Sequence, residues 1–111
     1  MRSTFIDAGM LRHELSLQAA VATGDGTGGY AESWVEIATV FARLVPVAVD
    51  SLFRADQRLE RVTHEITIRH RDDVASGMRF ERQGRTFLIL TVSDPDETGR
   101  YLICTTREDG R

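Results

Sequence analysis

The chain has 111 residues, 41% of them hydrophobic and 28% charged, with a formal net charge of −3. That length supports one domain with a modest core, and that balance excludes a disordered tail. A general nucleic-acid binder would instead carry a basic excess.

Residues 1–9 read as an N-terminal arm. Asp7 interrupts it before any apolar run develops, so it does not resemble a signal peptide. Leu11, His13, Leu15 and Leu17 then alternate with Arg12, Glu14, Ser16 and Gln18, the period-2 pattern of a half-buried strand. Thr23–Gly29 is a glycine loop, the expected tip of a hairpin. It lacks the Gly-Lys-Ser/Thr ending of a phosphate loop, and the chain contains no lysine to supply one. All 14 basic residues are arginine, whose planar forks suit fixed contacts between surfaces.

From Trp34 to Val47 a longer run is apolar on both faces, through Val35, Ile37, Val40, Phe41, Leu44 and Val45. Such a strand is central to a sheet or bends across a barrel. Ala48–Arg61 breaks the pattern. Leu52, Ala55 and Leu59 recur at helical spacing among Arg54, Asp56, Arg58 and Glu60, which fits either a short amphipathic helix or a long loop.

Val62, His64, Ile66, Ile68 and His70 alternate with Thr63, Glu65, Thr67 and Arg69. Met78–Arg82 and Arg85–Val92 flank Gln83-Gly84, a two-residue hairpin signal. The acidic turn Asp94–Gly99 leads to a last strand over Arg100–Arg107. Six strands at this spacing predict an all-β fold: a small antiparallel barrel or sandwich, with residues 48–61 inserted between the second and third strands. The expected core is Leu15, Leu17, Trp34, Ile37, Val40, Ile66, Ile68, Phe87, Ile89 and Leu102.

Chemistry is sparse. Cys104 is the only cysteine, so no intrachain disulfide forms, a thiolate zinc cluster is excluded, and a reducing cytosol is expected. It lies in an apolar strand, where a thiol is a small hydrophobe with a raised pKa. His64 and His70 are six strand residues apart, roughly 20 Å, too far to share one metal. Asp94, Asp96 and Glu97 admit a hard cation but fit a solvated turn better. No Gly-x-Ser-x-Gly elbow occurs, and no run approaches the ~20 apolar residues of a membrane-spanning helix. The expectation is no catalysis, no cofactor and no bound metal.

What remains is an interaction surface. Leu52 and Phe53, followed by the mixed charges Arg54, Asp56, Arg58, Glu60 and Arg61, form the candidate contact set for inter-subunit or channel-facing roles. The competing reading is a small oligonucleotide-binding-like barrel engaging nucleic acid or protein, which needs exposed aromatics interleaved with basic residues. The aromatics here fall about one per strand, as core residues do.

Four separated elements carry a family resemblance. They are Ala8-Gly9-Met10-Leu11-Arg12-His13-Glu14-Leu15; Trp34 with Ala38-Thr39-Val40-Phe41-Ala42-Arg43-Leu44; Thr63-His64-Glu65-Ile66-Thr67-Ile68-Arg69; and Arg79-Phe80 with Gly84-Arg85-Thr86-Phe87, Ile89, Val92 and Asp94-Pro95. In this order, over residues 8–103, the chain resembles the head–tail joining (head–tail adaptor or head-closure) proteins of long-tailed phages, prophages and phage-derived DNA-transfer particles. The resemblance implies a single barrel domain over 1–111 and a non-enzymatic virion part made in the bacterial host cytoplasm. It also implies a homo-oligomeric ring at the head–tail joint. Its implied neighbours are the portal and adaptor on the head side and tail terminator or tail tube proteins on the other. DNA passes without sequence-specific binding, and no membrane is involved.

Overall fold

The computed structural model describes residue 6 and residues 8–24, 26–47 and 62–109. A single 3-10 turn, Ala8–Met10, precedes six strands: β1 His13–Gly24, β2 Tyr30–Pro46, β3 His64–Arg69, β4 Arg79–Arg82, β5 Arg85–Ser93 and β6 Tyr101–Asp109. All pair antiparallel and close in the order β1-β2-β3-β6-β5-β4, so every strand has two neighbours. Closure leaves no free sheet edge along the barrel wall. The all-β expectation holds; β2 to β6 fall within about four residues of their expected places, while β1 runs on past Gln18 to Gly24.

Inward residues alternate along the strands. Leu15 and Leu17, Val40 and Ala42, Ile66 and Ile68, Phe80, Phe87 and Ile89, and Leu102 and Cys104 form one core. Two features at its edge are polar but satisfied. Thr106 is fully buried and its hydroxyl donates to the His64 carbonyl at 2.9 Å. Gln83 and Gly84 both take positive φ, 52° and 82°, as the tight β4–β5 turn requires. The Gly84 N–H donates to the Glu81 carboxylate at 3.0 Å, closing that turn.

Two expected core residues lie elsewhere. Leu17 pairs with Ala38 but Gln18 pairs with Glu36, so Ile37 is an extra residue in β2, a β-bulge. Beyond it the sheet leaves the core, and Ile37 is 44% exposed. Trp34, opposite Ala20, is only partly buried. The Arg79 guanidinium stacks over its ring at 4.2 Å, and Arg79 also donates to the Gln18 side chain at 2.7 Å. Trp34 is therefore an outer-face contact. Trp34→Ala is expected to cost about 1 kcal/mol, the scale of an exposed cation–π pair. Urea denaturation checks this; a loss of about 3 kcal/mol or more would return the indole to the core.

The bulge also marks where β1 and β2 leave the barrel. Beyond the Gln18↔Glu36 pair the two strands continue to Gly24↔Tyr30, about 20 Å further at ~3.3 Å per residue. Among the described residues neither strand pairs with a third strand there, so this hairpin forms an arm. The arm helps account for dimensions of 55 × 36 × 26 Å.

Candidate functional site

Residues 48–61, and with them Leu52, Phe53, Arg54, Asp56, Arg58, Glu60 and Arg61, lie outside the described residues. The structure does place the two ends of that insertion. Val47 N–H donates to the Thr63 carbonyl at 3.0 Å, and Pro46 is paired with His64. The chain thus leaves and re-enters the barrel at adjacent points. This anchor is at the opposite end of β2 from the arm.

Its walls come from short-range chemistry in β3, β5 and β6. The Thr63 hydroxyl lies 2.9 Å from His64 Nδ1 and accepts from the Glu108 N–H at 2.7 Å. Arg85 donates twice to the Glu108 carboxylate, at 2.8 and 3.1 Å, a bidentate pair with the acid largely buried. His64 packs edge-on against Phe87 at 5.1 Å. The N-terminal root of β3 is therefore rigid, while His70 at its other end is exposed.

Burial lowers the His64 pKa below its ordinary 6.5; Glu108 opposes the shift and Arg85 reinforces it. Between the folded value and 6.5 the unfolded chain binds a proton that the folded chain does not. Stability therefore falls as pH drops through 6.5 and stops falling from this source below the folded value. His64→Phe keeps a ring against Phe87 and removes the proton. Urea midpoints at about pH 7.5 and 5.5 should show a larger loss for wild type than for the variant. Equal losses would contradict the assignment.

Exposed apolar side chains gather on β2. Val35 is 47% exposed, Ile37 44% and Phe41 57%, with Val21 at 42% on the adjoining strand. Phe41 sits on the outer wall opposite Glu14. It adjoins a groove lined by Thr39, Arg69, His70 and Arg71. On its other side Arg12, Glu14, Ser16, Glu36 and Glu81 line a polar concavity. Of β2, the sequence pattern places Trp34, Ile37 and Val40 in the core; Val40 is buried there, and the exposed surface with Val35 and Phe41 is not foreseen by it.

The other candidate chemistry resolves into structure. Cys104 is fully buried and desolvation pushes its thiol up to about 12, so it stays protonated near neutral pH. The Asp94–Gly99 turn is held from within: Asp94 accepts from the Gly99 N–H at 2.8 Å, and Asp96 accepts from the Thr98 hydroxyl at 2.7 Å. That Thr98 bond is the main cause holding the Asp96 carboxyl below its usual range. Among the described residues, no group of three or more His, Cys, Asp or Glu side chains converges as a metal site. Phe80 and Phe87 are fully buried and Trp34 is stacked on Arg79, which leaves Phe41, beside Arg69, His70 and Arg71, as the large exposed aromatic among the described side chains.

Comparison with known proteins supplies the context. The phage head completion protein family matches residues 6–109. Among solved structures, a chain in the virion of a native gene transfer agent (GTA) particle is 29% identical. That alignment covers 87% of this chain and 93% of that one, with a TM-score of 0.64. Protein SF1141 from Shigella flexneri 2a is 26% identical over 96% of this chain and 99% of its own, with a TM-score of 0.73. No curated protein matches. A match spanning all six strands, on the closed antiparallel sheet that a small barrel domain requires, settles the affiliation: the chain belongs to the phage head completion protein family, a family of virion structural components.

Proposed function

We propose that this chain is a head-closure subunit, a non-enzymatic ring component that joins the portal–adaptor of a DNA-filled head to the tail and helps retain the DNA. The observation that carries the reading is the family match across residues 6–109, together with likeness to a chain of a gene transfer agent virion. The surface chemistry supports it. A cyclic ring needs heterologous contacts, so one domain must present two different adhesive faces. Here the exposed apolar residues of the arm and Phe41 of the wall lie on separate parts of β2.

In this reading the 48–61 insertion reaches from the opposite end of the barrel toward the channel or a neighbouring subunit. Leu52 and Phe53 supply apolar contact there. Arg54, Asp56, Arg58, Glu60 and Arg61 pair with groups repeated around the axis, which sets register more than affinity. Purified particles from a host with the reading frame deleted test the function. The expected result is DNA-losing heads separated from tails, restored by supplying the chain in trans. Intact tailed particles from the deletion would overturn it.

A further inference from the structure

We infer that the β1–β2 arm of one copy docks on the outer wall of the next copy, against Phe41 and the arginines beside it. The inference rests on the ring reading above and names the contact that would build it. An isolated two-stranded hairpin is marginally stable in water, and this one carries exposed Val21, Val35 and Ile37. Val21 and Val35 occupy the face that continues the inward line of Leu15 and Leu17 along β1, because Val35 pairs with Ala19. Past the bulge no core remains beneath that face. It is a strip of apolar surface on a projecting ribbon.

Charge identifies the occupant as a second copy of this chain. Residues 18–36 contain Asp25, Glu32 and Glu36 and no basic residue. The β3 side of the wall beside Phe41 has the opposite bias, while Glu14, Glu36 and Glu81 line the concavity on its β1 side. Arg69, His70 and Arg71 line its groove, and Arg43 follows Phe41 on the same exposed side of β2. Arg71 is held by Asp73 at 2.9 Å, and Glu14 faces Phe41 from β1, so Arg43 and Arg69 are the cations available to an incoming acid. An acidic, apolar arm meeting the exposed phenylalanine and the basic groove on its β3 side is complementary in both properties. Arm and wall are different surfaces of one chain. Each copy therefore gives its arm to one neighbour and receives an arm from the other, the head-to-tail geometry that closes as a ring.

The test uses full-length chain carrying both Val35→Cys and Phe41→Cys, assembled into particles and treated with a short bis-maleimide. These two positions lie six residues apart on one strand, about 20 Å, so a short reagent does not join them within one chain. Cys104 is fully buried and protonated, and it stays silent. The expected result is a cross-linked ladder extending beyond dimer, with each single variant remaining monomeric. Val21→Cys in place of Val35→Cys gives a second pair with the same expectation.

A chain that is present in the particles but stays monomeric with both pairs overturns this contact and leaves the ring reading standing. Dimer from Val35→Cys alone also overturns it, because that signals arm against arm. Wild-type chain missing from the particles overturns the ring reading and this contact together.

Discussion

Phe87→Ala is expected to destabilise the folded chain by about 3–5 kcal/mol, the range for truncating a buried aromatic. Phe87 has no solvent exposure and sits directly opposite Phe80, equally buried, in the β4–β5 pair. The His64 ring meets it edge-on at 5.1 Å and the Arg85 guanidinium lies 5.0 Å from its centroid. Truncation loses the transfer free energy of the ring and leaves a cavity that closed strands cannot easily collapse into. It also removes the surface against which His64 and the Arg85–Glu108 pair are ordered. Against a total of about 5–15 kcal/mol for a domain, this is a large fraction of stability. Urea unfolding measures it, and a loss below about 1 kcal/mol would contradict the packing described.

Replacing residues 48–61 with a short Gly/Ser linker should leave the barrel folded and abolish particle maturation. The structural half follows from the Val47–Thr63 hydrogen bond at 3.0 Å, which already holds the two ends together. A linker there closes a short loop at small entropic cost, and the described residues outside 48–61 already form a core among themselves. The functional half follows from composition: Leu52 and Phe53 beside five alternating charges suit a contact surface rather than a spacer. Circular dichroism should be nearly unchanged while heads leak DNA or fail to acquire tails. Particles that mature normally with the linker would contradict the role assigned to the insertion. Loss of the β signal would contradict the independence of the barrel.

Much of this fold was legible because alternation is unambiguous where one face is buried and the other wet. Ile66 and Ile68 against Arg69, or Leu15 and Leu17 against Glu14, fix phase and register together. The Gln83-Gly84 turn was equally direct, since a two-residue hairpin demands positive φ. β2 was harder. Apolar on both faces, it gives no phase of its own, and the extra residue at Ile37 shifts the pattern where the strand leaves the barrel. The sequence pattern therefore carries Trp34 and Ile37 into a core that in the fold ends at Ala38. The outer half of β1, Ala19–Gly24, is small and weakly patterned, so the arm did not stand out as a strand. One signal for it was present all along: nineteen residues, 18–36, without a single positive charge. The candidate set in 48–61 was legible as composition, and its structure lies outside the described residues.

The central claim is that this chain is a ring component at the joint between head and tail. A reconstruction of the intact particle, with this chain tagged at its C-terminus, tests it most directly. The account predicts a closed ring of six-stranded barrels between portal–adaptor and tail, bearing the tag, with the 48–61 insertion at the end of each barrel away from its arm. Tag density on the capsid shell or along the tail, with no such ring at the joint, would contradict it.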